Sequence, residues 1–286
     1  MKTRHIGSVE VSAIGLGGMP MSIEGRPDEA RSIATIHAAL DAGVTLIDTA
    51  NAYHLHADEV GHNETLIAKA LASWSGDSSR VLVATKGGHL RPGDGSWTTN
   101  GRPEYLKQAC EASMKRLGVD AIGLWQFHRP DPATPLEDSL GALRDLLDEG
   151  KIRLAGVSNL NPEQITLANE ILGGRLASVQ NQFSPAFRSS EPELQLCDRM
   201  GVAFLPWSPL GGIGNAGDLG SRFAPFQQVA QAHGVSPQQI ALAWELAKSS
   251  VVVPIPGASR PESILDSVRA VDLTLSPEEL AALDAS

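Results

Sequence analysis

The chain has 286 residues, 42% of them hydrophobic, and its 23 Lys and Arg against 33 Asp and Glu give a formal net charge of −10. A net acidic chain with no basic block is a poor candidate for nucleic acid or an anionic membrane surface, and no apolar run approaches the ~20 residues that a bilayer span needs. The basic start Met1–Gly7 leads into no apolar signal core, and Cys110 and Cys197 lack CxxC spacing, so the chain reads as cytoplasmic with two buried free thiols.

In chain order, Arg4–Ser12 reads as a hairpin, and after it short apolar runs alternate with longer amphipathic segments. The strand-like runs are Ser12–Gly17, Thr45–Asp48, Val81–Lys86, Ile122–His128, Ile152–Val157, Ser178–Gln182, Ala203–Ser208 and Val251–Ile255. Between them, Leu136, Leu140, Leu143 and Leu147 share a helix face, and Leu106, Cys110, Ser113 and Leu117 repeat the spacing more weakly. Helix starts follow a recurrent local code. Thr134-Pro135, Asn161-Pro162, Ser236-Pro237 and Ser276-Pro277 each set a capping side chain before a proline, with Glu137, Gln164, Gln239 and Glu279 in the third helical position. Gly150 suits a helix C-terminus.

Eight strands alternating with helices predict either a barrel or an open doubly wound sheet. The first turn, Gly15-Leu-Gly-Gly-Met-Pro20, lacks the glycine spacing of a dinucleotide fingerprint and has proline where a helix should open. A formal GxGxxG at Gly212, Gly214 and Gly217 follows Pro209 and opens no clear helix. The expected fold is therefore one α/β domain over residues 1–286, a (β/α)8 TIM barrel with an N-terminal hairpin and an additional C-terminal helix. A barrel of this kind runs to roughly 250 residues before insertions.

Catalytic groups in such a barrel project from the C-terminal strand ends. Strand two ends at Asp48, strand three at Lys86 and strand four at His128, and Tyr53 lies five residues past the aspartate. Side-chain alternation points the three strand-end groups inward at one level. A buried Lys beside a buried Asp is expected to pair, and a tyrosine beside that lysine is expected to have a lowered pKa. Tyr53 could then protonate a carbonyl oxygen to which His128 donates a hydrogen bond.

With these residues in place, the chain resembles the aldo-keto reductases over essentially its whole length. Asp48-Thr-Ala-Asn-Ala-Tyr53, Lys86 and His128 match that family's tetrad, and Gly156-Val-Ser-Asn159, Gln180-Asn-Gln182, Trp207-Ser-Pro-Leu-Gly211 and Ile255-Pro-Gly257 agree further. The resemblance implies reversible reduction of small aldehydes or ketones by NADPH, less often NADH, with Tyr53 as general acid. It also implies a cofactor site. Ser158, Asn159 and Gln180 would hold the carboxamide, Trp207 would stack on the nicotinamide, and Ser208, Leu210 and Gly212 would follow the pyrophosphate, with Gly18 and Met19 in the first turn nearby. The adenosine end would fall to Gly257, Ser259, Arg260, Ser263 and Ser267. Many NADPH-dependent members carry Lys, Arg and Asn where Gly257, Ser263 and Ser267 stand, so a preference for NADP rests on Arg260 and on the capping box read in Ser259-Arg-Pro-Glu262. The runs Asn100–Glu104 and Gln180–Phe183 resemble a branch that includes pyridoxal reductases.

Other readings stand beside these. Asp48 and Lys86 could be a structural ion pair; Lys86 could be a Schiff-base lysine, although an adjacent Asp48 opposes the lowered pKa this needs. His54, His56, Asp58 and His62 crowd one loop, but their spacing is not that of a metal site, and none is expected. Trp97, in the loop 87–103, is expected to wall the substrate pocket with Tyr53 and His128. A barrel that binds cofactor but acts as a redox-sensing subunit is the alternative function.

Overall fold

The computed structural model describes residues 1–286. Strands β1 (Thr3–Ile6) and β2 (Val9–Ser12) form the expected antiparallel hairpin, with Gly7 in its turn at φ +55°, a conformation that glycine adopts without steric cost. Next come β3 (Leu16–Gly17), helix α1 (Glu29–Asp41), β4 (Leu46–Asp48), α2 (His62–Ser73) and β5 (Leu82–Gly87). A small hairpin of β6 (His89–Leu90) and β7 (Thr98–Thr99) precedes α3 (Pro103–Leu117), β8 (Ile122–Phe127), α4 (Leu136–Asp148), β9 (Ile152–Ser158), α5 (Pro162–Ile171), β10 (Leu176–Gln180), α6 (Glu191–Met200) and β11 (Ala203–Phe204). Helices α7 (Leu219–Arg222), α8 (Ala224–His233), α9 (Pro237–Lys248), α10 (Pro261–Val268) and α11 (Pro277–Asp284) complete the chain. No helix is long and apolar enough to cross a membrane.

Seven strands pair in parallel in the order β11-β10-β9-β8-β5-β4-β3. The eighth, expected at Val251–Ile255, is not a ladder strand. Val253 N–H donates to Phe204 O at 2.8 Å on one side, while Pro254 O and Pro256 O accept from Gly15 and Gly17 at 2.9 Å each on the other. The two prolines have no N–H to give, so closure toward the first strand runs in one direction only. The first strand is also shorter than expected. Ser12 stays in the hairpin, exchanging bonds with Thr45, and only Leu16 and Gly17 join the barrel. Where the first and last strands meet, Gly17 and Gly257 pack so closely that a Cβ on Gly17 would lie 2.8 Å from Ile255 O. The seventh strand stops at Phe204 because Pro206 breaks it, though Trp207 N–H still donates to Asn181 O at 3.0 Å.

The hairpin side chains Ile6 and Val11 plug the barrel floor, packed with Leu46, Leu82, Leu124 and Val253. A larger cluster fills the layer between strands and helices; in it the buried face of α4 is set by Leu140, Leu143 and Leu146, with Leu136 and Leu147 at its margin. Capping follows the sequence code at Asn161 and Ser276, where both halves of the box form. At Ser236 only the first half forms, because Gln239 gives its amide to Asp266 instead. Two expected boxes do not form. Thr134 donates its hydroxyl to Asp131, leaving Pro135 as the N-cap of α4, and α10 starts from Arg260 with no side-chain cap.

Candidate active site

In the ladders Asp48 pairs with Ala84 while Lys86 pairs with Gln126, so Lys86 stands two residues further along its strand than Asp48's partner, and His128 follows Gln126 by two again. The expected common level is therefore a staircase in register, and the tilt of barrel strands brings its steps to one mouth. There Lys86 Nζ donates to Asp48 Oδ1 at 2.6 Å, to Thr49 O at 2.8 Å and to Tyr53 OH at 3.2 Å. The ammonium is fully buried, and all three of its protons have an oxygen. The second oxygen of Asp48 accepts from Gln180 Nε2 at 2.8 Å and from Gln126 Nε2 at 3.4 Å. Tyr53 and His128 meet edge to face with ring centroids 5.9 Å apart.

Burial tends to lower the Lys86 ammonium, but Asp48 and Tyr53 outweigh it and hold it above the usual lysine range. The Tyr53 phenol departs from the lowered pKa expected of it. Burial pushes it up, and Lys86 pulls back only part of the way, so desolvation of the phenolate outweighs the cation's attraction. The phenol therefore keeps its proton at neutral pH. Burial, with Lys86, His89 and Arg129 nearby, drives His128 well below the ordinary histidine range. It is a neutral ring, and its Nδ1 is buried without a partner.

A cleft of about 550 Å3 opens beside these groups. It brings together Met19, Asp48, Tyr53, Trp97, His128, Ser158, Asn159, Gln180, Trp207, Ser208, Leu210, Gly212 and Gly257 from the residues singled out in the sequence. Gly18 lies just behind the wall, where its N–H donates to Asp48 O and its carbonyl accepts from Asn63. Ser259, Arg260, Ser263 and Ser267 lie outside the cleft. Arg260 Nε donates to Ser263 Oγ at 2.9 Å, and Ser267 is buried with its hydroxyl turned back to Ser263 O. Asn159 and Ser208 hold positive φ angles of 60° and 53° at the cleft edge, an uncommon conformation for residues with a Cβ.

Sequence reasoning missed Glu24, His89, Gln126 and Arg129. His89 stacks on Trp97 at 4.7 Å and meets His128 edge-on at 4.9 Å. Arg91 lies over Trp97 and pairs with Glu24 on the rim. Gln126 and Arg129 were within reach of the strand-end argument, since they flank His128 at positions 126 and 129; His89 and Glu24 sit on loops with no periodic signal. The histidine-rich loop does not converge. His54 bonds to His56 O, His62 to Ser22 Oγ, and no three His, Cys, Asp or Glu side chains gather. The run Asn100–Glu104 lines no part of the cleft; Gly101 instead ties to Asp131 and Ser139.

A parallel barrel carrying an Asp–Lys–Tyr–His cluster at the C-terminal ends of its strands, beside a cleft of about 550 Å3, defines an oxidoreductase scaffold of the aldo-keto type. The sequence matches the aldo/keto reductase family over residues 13–286. It is 35% identical to an uncharacterized oxidoreductase of Schizosaccharomyces pombe over 99% of this chain and 89% of that one. Among solved structures it is similar to a thermostable aldo-keto reductase in complex with the inhibitor epalrestat (29% identity, TM-score 0.82, 100% and 99% of the two chains). It is also similar to a glycerol dehydrogenase of Gluconobacter oxydans (28% identity, TM-score 0.84, 99% and 94%). The chain belongs to the aldo/keto reductase family. That family uses nicotinamide cofactors, NAD(H) or NADP(H), and acts on small carbonyl compounds.

The cleft fits such a group. Gln180 commits its side-chain Nε2 to Asp48 and leaves its side-chain Oε1 free of any partner within the protein, while its backbone carbonyl accepts from Ser158 Oγ and Asn159 N–H. The Trp207 ring is held in place by its Nε1 donating to Asn159 Oδ1 at 3.1 Å. Gly17 and Gly257 line the cleft with backbone where the first and last strands meet.

Proposed function

We propose that this protein is an NADPH-dependent carbonyl reductase, a single barrel domain over residues 1–286 that interconverts small aldehydes or ketones with their alcohols. The contact that carries the reading is Lys86 Nζ held between Asp48 at 2.6 Å and Tyr53 OH at 3.2 Å at the barrel mouth. Ser158, Asn159 and Gln180 would hold the carboxamide and Trp207 would stack on the ring. Ser208, Leu210 and Gly212 would follow the pyrophosphate. The bound nicotinamide supplies or accepts a hydride at the carbonyl carbon.

The remaining work falls to side chains. Tyr53, protonated at neutral pH, gives its proton to the carbonyl oxygen as charge builds there. Lys86, charged and fully hydrogen-bonded, stabilises the phenolate left behind, and Asp48 holds the ammonium in place. The neutral His128 ring donates a hydrogen bond to the same oxygen and orients it. In the alcohol-oxidising direction the phenolate accepts the proton back, so that direction is expected to quicken as pH rises. Substitution of Tyr53 by Phe keeps the ring and removes the donor. A fall in kcat on the order of 10²–10⁴-fold is expected, with cofactor affinity, followed by Trp207 fluorescence, retained. Near wild-type kcat on the best aldehyde would show that the proton comes from elsewhere.

Preference for NADPH rests on Arg260. No ion pair engages it, it is exposed at the start of α10, and its guanidinium is oriented by Ser263. The absence of a lysine at Gly257 also has a packing cause, since a Cβ there would meet Pro20 Cγ at 2.8 Å.

A further inference from the structure

One cation on the cleft wall has no part in the scheme above. Arg129 directly follows His128 and lines the cleft. Its side chain makes no hydrogen bond and no ion pair, and its Nε is buried without an acceptor. The residue is half-buried: Nε is closed off from solvent, while the terminal nitrogens stay accessible on the cleft wall, in a chain with 33 Asp and Glu against 23 Lys and Arg. Buried polar groups are nearly always paired, and an unpaired one is unfavourable.

The surrounding structure keeps carboxylates away from it. Asp131, two residues along, is the nearest acid in sequence. Its oxygens are taken by the N–H groups of Gly101 and Ala133 and by the hydroxyls of Thr99 and Thr134. Glu24, the other acid on the wall besides Asp48, pairs with Arg91. Asp48 is bound to Lys86. Arg129 is close enough to the ring nitrogens of His89 and His128 to disfavour their protonation, so its charge reaches the place where a carbonyl would sit.

We infer that Arg129 binds a carboxylate carried by the carbonyl substrate, making the preferred substrates aldehydo- or keto-acids. The inference rests on the carbonyl-reductase reading and names the substrate class for that same cleft. A guanidinium offers a planar fork that a carboxylate meets in bidentate fashion. One free positive charge matches a monoanion. A phosphate dianion would want a second cation, and Arg91 is already neutralised by Glu24. The stacked His89–Trp97 wall suits a flat or short substrate body between the carbonyl and the acid.

The test compares acids with their neutral amides of the same shape, at two lengths: 4-carboxybenzaldehyde against 4-formylbenzamide, and succinic semialdehyde against 4-oxobutanamide. Wild type, Arg129→Met and Arg129→Lys are each assayed with NADPH and NADH. The wild type is expected to favour the acid of at least one pair in kcat/KM by roughly 10- to 100-fold, the range of one charge-assisted contact. In Arg129→Met that ratio should fall to near one, chiefly through KM, and Arg129→Lys should restore part of it. Quenching of tryptophan fluorescence by 4-(hydroxymethyl)benzoate against its amide gives a second readout that needs no turnover, and the same preference and the same loss are expected. Equal use of acid and amide by the wild type overturns the assignment. So does a variant that keeps the ratio while its KM for the nicotinamide cofactor rises, which would give the guanidinium to the cofactor. If neither member of a pair turns over with either cofactor but the acid still binds more tightly through Arg129, the carboxylate site stands and the reductase reading falls.

Discussion

At the scale of single residues, the Lys86 environment explains why the proposed acid works with a raised pKa. A buried phenol surrounded by low dielectric resists ionisation, and the ammonium offsets only part of that cost. In the proposed mechanism the lysine thus acts on the charge that appears during transfer and leaves the resting proton in place. The same burial makes the pair structurally demanding. Lys86→Met strands Asp48, 3% exposed, with only glutamine amides as partners. A loss of about 3–5 kcal/mol in unfolding free energy is expected, because an uncompensated carboxylate remains inside. The double substitution Asp48→Asn, Lys86→Met removes the stranded charge and should recover most of the stability while leaving activity abolished. Denaturant unfolding at neutral pH with parallel turnover assays separates the two effects. Full activity in the double variant would reduce the pair to scaffolding.

At the scale of elements, capping signals held where no other acid competed for the capping or box side chain. Asn161 and Ser276 form complete capping boxes at solvent-facing helix starts, whereas Gln239 was drawn off by Asp266, an acid brought near by packing, and Thr134 by Asp131, a competitor three residues back in the same turn. Helix α10 illustrates the functional side. Its uncapped first turn and Arg260 stand together outside the cleft, suited to an anionic group on the far end of the cofactor. Arg260→Ala is expected to raise KM for NADPH roughly 10- to 150-fold, leave kcat at saturation nearly unchanged, and hardly move KM for NADH. Steady-state kinetics with both cofactors tests this, and equal losses for the two would mean that Arg260 only supports the loop.

At the scale of the whole molecule, one buried carboxyl serves neither site nor scaffold. Glu245, on α9, is fully buried, both its oxygens lack partners, and burial alone raises it well above the carboxyl range. The folded protein therefore holds this proton at pH values where the unfolded chain has released it. Stability from this group is full below about the ordinary 4.5 of a glutamate and is lost as pH rises toward the raised folded value. Glu245→Leu removes the dependence. Its urea midpoint should match or slightly exceed wild type near pH 4.5, with a margin that widens toward pH 8. A margin independent of pH would show that the carboxyl does not titrate on unfolding. The thiols are the inert counterpart: burial pushes Cys110 and Cys197 to about 12, in keeping with free cysteines packed in the core.

The sequence by itself determined what depends on neighbours along the chain. Alternating apolar runs, proline after a capping residue and the strand-end positions of Asp48, Lys86 and His128 are local properties, and the barrel with its tetrad follows from them together with the family resemblance. Tertiary structure decided what depends on contacts between distant segments. It closed the barrel through separate bonds around Pro254 and Pro256, because proline removes donors that a strand pattern assumes. It raised Tyr53 instead of lowering it, because desolvation is a property of everything packed around the ring. It left Arg129 free, because the turn after β7 and the turn after β8 meet so that Asp131 is saturated by the backbone and hydroxyl donors of Thr99, Gly101, Ala133 and Thr134. Charge balance in a cavity depends on which partners packing withholds as well as on which it supplies, and single-chain periodicity carries no record of either.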